Sequence, residues 1–167
     1  SPHAVSAALR QLAEALEVGH RCGLLVHAGH GLTYSNIGPV ADALTEKLAA
    51  AIVPFCPAFP ANARSVFQGH LFVGNRLLNE SGMQNHPLTP MKDSDLVRVL
   101  GKQTAHGVGL VPYAEVAQGA TAIRKAFTRL SDQGRRYAIC DAVDEAQLMA
   151  LGAACDLLPL VTGGSGM

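Results

Sequence analysis

The sequence predicts an α/β fold: a three-layer sandwich with a mainly parallel sheet of about five strands, helices on both faces, and a small β-hairpin addition. Three observations carry that expectation. Short apolar runs of strand length recur at residues 23–27, 51–55, 108–111, 137–140 and 158–161. Segments with apolar residues at helical spacing lie between them. The runs are apolar throughout rather than alternating, which suits parallel strands covered on both faces. The chain has 167 residues, 49% hydrophobic and 16% charged, enough to bury the core of one domain over residues 1–167.

Each element has a local reason. Ser1-Pro2 predicts a helix start, a hydroxyl cap followed by proline at the first helical position. Val5, Leu9, Leu12 and Leu16 then form one apolar stripe, and Gly19 can end it. Strand 23–27 leads into the glycine-containing loop 28–34. Gly38-Pro39 starts a second helix with Val40, Leu44 and Leu48 on one face. In strand 51–55, Pro54 argues for a short or irregular element. A proline-rich loop follows, from Cys56 to Arg64.

Gly74-Asn75 between two apolar runs signals a hairpin, because glycine supplies the positive φ of a tight primed turn. Pro87 and Pro90 make residues 86–91 an ordered extended loop. Asp93 is expected to cap a short helix bearing Leu96, Val97 and Leu100. Tyr113, Val116, Ala117, Ala120, Ile123, Phe127 and Leu130 predict one long amphipathic helix, closed by Gly134. Asp144 and Gln147 read as a capping box for the last helix.

Composition excludes several functions. The net charge is +0, so a nucleic-acid partner has no electrostatic basis. Aromatics are 5% and tryptophan is absent, which leaves few platforms for stacking bases. No apolar run approaches the ~20 residues of a membrane span, and no signal peptide is visible. Cys22, Cys56, Cys140 and Cys155 are far apart, as expected of small buried residues in a reducing, cytoplasmic setting. No metal or cofactor is implied.

Ligands of open α/β sheets bind beyond the C-terminal ends of the strands. Loops 28–34, 56–64, 140–143 and 162–166 should gather there, overhung by the hairpin and loop 86–91. Gly29 and Gly31 can present backbone amides to an anion, and His30 can add a proton or positive charge; equally, the glycines can simply make the turn. Asp141 is either a site carboxylate or an acceptor for loop amides. Ser165 is not set as a nucleophile, since no helix follows it.

Several separated motifs resemble the N-terminal, sugar-binding domain of the four-carbon acid sugar kinases. They are Asn36-Ile37-Gly38-Pro39-Val40-Ala41-Asp42-Ala43-Leu44, the segment from Cys56 to Arg64, Gln68-Gly69-His70-Leu71-Phe72-Val73-Gly74, residues 86–91, Val108-Gly109-Leu110-Val111, and Thr162-Gly163-Gly164-Ser165-Gly166. The resemblance implies a sugar-acid site drawing on Arg64, His86, Gly163, Gly164 and Ser165. A guanidinium such as Arg64 forms paired, charge-assisted bonds with a carboxylate.

Residues 2–36 differ. His27-Ala28-Gly29-His30-Gly31-Leu32-Thr33-Tyr34 resembles pyridoxine 5′-phosphate synthase, a TIM barrel. That resemblance places His30 in an active site and a neighbouring glycine amide on phosphate. The kinases' Asp-Asp-x-Thr-Gly motif and nucleotide-binding part have no counterpart here. The expectation is therefore an engineered or mosaic fold, residues 1–35 barrel-derived and 36–167 kinase-derived, without catalytic residues or activity. The alternative is a residual binding domain for a four-carbon sugar acid, phosphate or sulfate, with homodimerisation through an uncovered sheet edge.

Overall fold

The computed structural model describes residues 24–27 as backbone, and residues 37–87 and 90–164 in full. Its strands are β1 (Leu24–His27), β2 (Val53–Cys56), β3 (Arg64–Phe67), β4 (His70–Val73), β5 (Arg76–Leu77), β6 (Gly107–Val111), β7 (Arg135–Cys140) and β8 (Leu160–Gly163). Its α-helices are α1 (Ile37–Lys47), α2 (Leu96–Gly101), α3 (Tyr113–Val116), α4 (Ala120–Asp132) and α5 (Glu145–Cys155). Five strands form an all-parallel sheet in the order β1-β8-β2-β7-β6, and β3-β4-β5 form a separate antiparallel sheet. The predicted α/β architecture stands.

The central strands show why their sequences are apolar throughout. All four residues of β2 and the last four of β7 are buried. Val53 lies opposite Tyr137 and Phe55 opposite Ile139, while β8 joins the other side of β2 only from Phe55 onward. Pro54 thus sits in a short strand whose β8 side needs no donor from it. The core includes Leu44, Ile123, Ile139, Leu151 and Leu160, each fully buried. Burial of each large apolar side chain contributes about 1.5–3 kcal/mol before entropy is counted.

Two local expectations change. The predicted single helix from Tyr113 to Leu130 is two helices, α3 and α4, broken at Gly119. That glycine has φ 88, a conformation that β-carbon-bearing residues resist. Helix α2 is capped by Asp95, whose carboxylate accepts from the Arg98 amide at 3.0 Å. Asp93 instead accepts from the Asp95 amide and clamps the Arg98 guanidinium at 2.6 and 2.7 Å. The Asp144–Gln147 capping box is present in full. The predicted helix at the start of the chain lies outside the described residues.

A polar network closes the N-terminal end of the sheet. Tyr137, fully buried on β7, donates to Asp42 of α1 at 2.5 Å and contacts the Thr45 hydroxyl at 3.3 Å. Thr104 donates to the same Asp42 oxygen at 2.7 Å, and the His106 ring meets Tyr137 edge-on. Burial pushes the Tyr137 phenol well above its ordinary pKa, and the bond to Asp42 adds to that rise. Here the polar groups fix α1 against the sheet. The opposite end is built differently.

Candidate functional site

At the C-terminal end of the sheet, β2 and β7 are neighbours whose chains leave for different elements. After β2 the chain enters the small sheet; after β7 it enters α5. Right-handed crossovers send these connections to opposite faces, leaving a crevice between the strand ends. The small sheet hangs over it. Val66 of β3 and Ala142 exchange backbone hydrogen bonds at 2.8 and 3.0 Å. Leu71 donates to the Ser94 carbonyl, and Leu96 to the Gly69 carbonyl, so the start of α2 holds the other edge.

Asp141 locks this arrangement. It is fully buried at the end of β7. One carboxylate oxygen accepts from the Gly69 amide at 2.9 Å, and the other from the amides of Gln68 at 2.7 Å and Tyr113 at 2.8 Å. Burial pushes its carboxyl upward, while those three amides and the nearby His70 pull against that rise. Of the two roles the sequence left open, Asp141 takes the acceptor for loop amides. Gln68 and Gly69, at φ 51 and φ 73, are the two central residues of the β3–β4 turn. That turn escaped the sequence reading, although a two-residue X-Gly connection between apolar pairs is its signal.

The predicted site residues distribute unevenly. Arg64 opens β3, half-buried and paired with Val73. Strand alternation puts it on the same face as buried Val66. Among the described residues no salt bridge to Arg64 is formed. Gly163 and Gly164 are buried at the end of β8, and the Gly164 amide donates to the Cys56 carbonyl at 3.1 Å. A β-carbon on Gly164 would lie 3.2 Å from the Pro57 carbonyl oxygen, so the two backbones touch. Thr162, also buried there, has a hydroxyl without a hydrogen-bond partner among the described residues.

His86 follows a 3-10 turn, in extended conformation and half-buried. His70 Nδ1 lies 2.8 Å from the Gln68 carbonyl, which makes that nitrogen the donor and His70 a brace of the turn. Gly29, His30, Gly31 and Ser165 lie outside the described residues. Cys56, Cys140 and Cys155 are free and buried, and burial raises all three thiols, Cys56 and Cys155 to about 12. They are unreactive core residues at neutral pH. Among the described residues no group of three ligands can hold a metal, and no helix is long and apolar enough to cross a membrane.

The fold and this crevice define an α/β domain of ligand-binding type. The chain belongs to the sugar-binding N-terminal domain family, whose model matches residues 32–167. A second model, pyridoxal phosphate biosynthesis protein PdxJ, matches residues 1–52. A 3-oxo-tetronate kinase of Burkholderia multivorans is 56% identical over 132 residues, 79% of this chain and 31% of the relative. This chain therefore spans about a third of that relative's length. A crystal structure of the Haemophilus influenzae protein HI1011 matches at TM-score 0.92 and 42% identity, covering 99% of this chain and 40% of that one. A Bordetella bronchiseptica structure, described as a domain-swapped dimer with bound citrate, matches at TM-score 0.74 and 25% identity over 99% of this chain and 39% of its own.

These likenesses overturn the expectation of an engineered or mosaic fold without function. The 56% identity runs through 132 residues of a natural kinase, and a natural protein's fold superposes on 99% of the chain.

Proposed function

We propose that this chain is the sugar-acid-binding part of a kinase for a four-carbon acid sugar of the 3-oxo-tetronate kind. The observation that carries this reading is the 56% identity over 132 residues to a protein named 3-oxo-tetronate kinase. The geometry supports it. Arg64 is the cation that opens β3, and its guanidinium is suited to a carboxylate. Gly163 and Gly164 end β8 beside the Cys56–Pro57 backbone, on the border of the proposed sugar site, and His86 stands in the overhanging loop.

Phosphoryl transfer needs a nucleotide and metal held in line with the sugar hydroxyl. On this reading the nucleotide and metal are held by the part of the relative that this chain does not match, so the 167-residue chain binds the acceptor and turns over nothing by itself. Titration by amide shifts and calorimetry, with 3-oxo-tetronate, threonate, erythronate and inorganic phosphate, tests this. The sugar acids should bind saturably and shift Arg64, His86, Gly163 and Gly164. Arg64→Ala should weaken them by about 10–100-fold, the range expected for one lost charge-assisted pair. Equal affinities for wild type and Arg64→Ala would refute the assignment of Arg64. Equal affinities for phosphate and sugar acid would refute the substrate class.

A further inference from the structure

The small sheet carries a pair of cations of which the proposed function uses one. Arg64 of β3 lies opposite Val73 of β4, and Val73 lies opposite Arg76 of β5. Directly opposed residues of antiparallel strands share a face. Arg64, Val73 and Arg76 therefore form one row across the three strands. The next row on that face, Val66 opposite Leu71, is fully buried. Val73 packs against the core as well. The row is thus the rim of an apolar face, with a valine floor and a guanidinium on either side. Arg64 is half-buried there, and Arg76 is exposed.

Neither cation has an acid to answer it. Among the described residues the arginines held in ion pairs are Arg98, Arg124, Arg129 and Arg136. Glu80, the acidic residue nearest to Arg76 in sequence, forms no ion pair among the described residues. The chain as a whole has net charge +0, so two unanswered guanidiniums on one face are a local excess that draws anions. Their spacing selects the anion. Strands β3 and β5 flank β4, so their backbones stand two strand spacings apart, about 9.5 Å. Both side chains are long enough to close in over Val73. A single carboxylate answers one of them, whereas a short molecule with an acid group at each end answers both.

We propose that Arg76 is a second anion-binding residue, which takes the phosphate of a four-carbon sugar acid phosphorylated at its far end while Arg64 takes the carboxylate. Resting on the sugar-acid reading of Arg64, this adds the phosphorylated acid to what the domain binds. A guanidinium meets phosphate oxygens with two parallel, charge-assisted bonds. The exposed position of Arg76 suits the end of the ligand that receives the phosphoryl group. The half-buried position of Arg64 suits the end that stays in place. A bare sugar acid leaves Arg76 unanswered, so the site should prefer the phosphorylated one.

Calorimetry of the 167-residue chain with erythronate and with 4-phosphoerythronate tests this, with circular dichroism and urea unfolding to confirm that each variant folds. Wild type should bind the phosphorylated acid about 10–100-fold more tightly, the range expected for one added charge-assisted pair. Arg76→Gln should remove most of that preference. Arg76→Lys, which keeps the charge without the paired geometry, should retain part of it. Lys125→Gln, which removes an exposed cation from α4, should keep it in full. Equal affinities of wild type for the two acids, with erythronate bound, would overturn this inference and leave the sugar-acid reading standing. So would a folded Arg76→Gln that keeps the preference, or a Lys125→Gln that loses it equally, since net charge alone would then explain it. A wild type that binds neither acid would overturn both readings.

Discussion

Replacing Asp141 by alanine should cost more than any other single polar substitution at the candidate site. The carboxylate is fully buried and accepts three backbone amides, from Gln68, Gly69 and Tyr113, at 2.7, 2.9 and 2.8 Å. A hydrogen bond to a charged group is worth about 1.5–3 kcal/mol net. The Gly69 amide is buried and loses its bond outright, whereas those of Gln68 and Tyr113 are part-buried and regain water. Counting the first in full and the others at half gives a loss of about 3–6 kcal/mol. Urea unfolding at neutral pH measures it. Amide exchange locates it, with Gln68, Gly69 and Tyr113 exchanging faster and Ile139 little changed until global unfolding. A loss below about 1 kcal/mol, or unaltered exchange at Gln68 and Gly69, would refute the reasoning that this one side chain holds the small sheet on the large one.

Three further outcomes follow from particular contacts. Arg98 holds the Asp93 carboxyl below its ordinary value, chiefly through their hydrogen bonds. A depressed carboxylate pKa contributes stability above the unfolded value of about 3.9 and loses it as pH falls through the folded value. Asp93→Asn should therefore flatten the acid limb of the stability profile. Its effect at neutral pH should be about 1 kcal/mol, because Arg98 is largely exposed. Asp141 has the opposite sign: a raised folded value favours the fold below the unfolded pKa and gives that up as pH rises, so Asp141 is not the source of acid loss. Gly38→Ala should destabilise by about 1–3 kcal/mol in thermal or urea unfolding, against helix propensity, because its β-carbon would lie 2.5 Å from the Gln103 carbonyl oxygen. Tyr137→Phe should cost about 1–2 kcal/mol, measured the same way, by stranding Asp42 and Thr45 without their phenol.

The large sheet was legible because its strands and helices announce themselves locally. Residues 108–111 and 137–140 are apolar throughout and lie in strands β6 and β7 of that buried sheet. Asp144 and Gln147 stand at capping-box spacing and form that box. The break at Gly119 was less legible, because the apolar spacing from Tyr113 to Leu130 continues straight through it. Periodicity reports which residues face inward, not whether the backbone between them is continuous. Strand β3 was missed for a related reason. Arg64, Ser65, Val66 and Phe67 alternate weakly, and their partner strand begins two residues later, after the Gln68-Gly69 turn. Asp141 was visible as a candidate, but its role was not. Whether a carboxylate at a strand end meets ligand or amide depends on a turn more than seventy residues away.

The polar chemistry of the two sheet ends has a consequence for the proposed site. At one end Tyr137, Asp42 and Thr104 satisfy one another and fasten α1. At the other, Asp141 fastens the Gln68-Gly69 turn, that turn sets the register of β3 on β4, and the register carries Arg64 opposite Val73. Arg64 is thus positioned by a turn that begins four residues further along the chain and is held by the Asp141 carboxylate. Asp141→Asn should keep one acceptor oxygen and most of the fold, yet leave at least one of the three amides facing a donor. Sugar-acid affinity should then fall with the carboxylate contact, about as far as it does in Arg64→Ala, and the double variant should fall little further than either single one. Additive losses in that cycle, measured by calorimetry on folded protein, would mean that Arg64 finds its place without the turn.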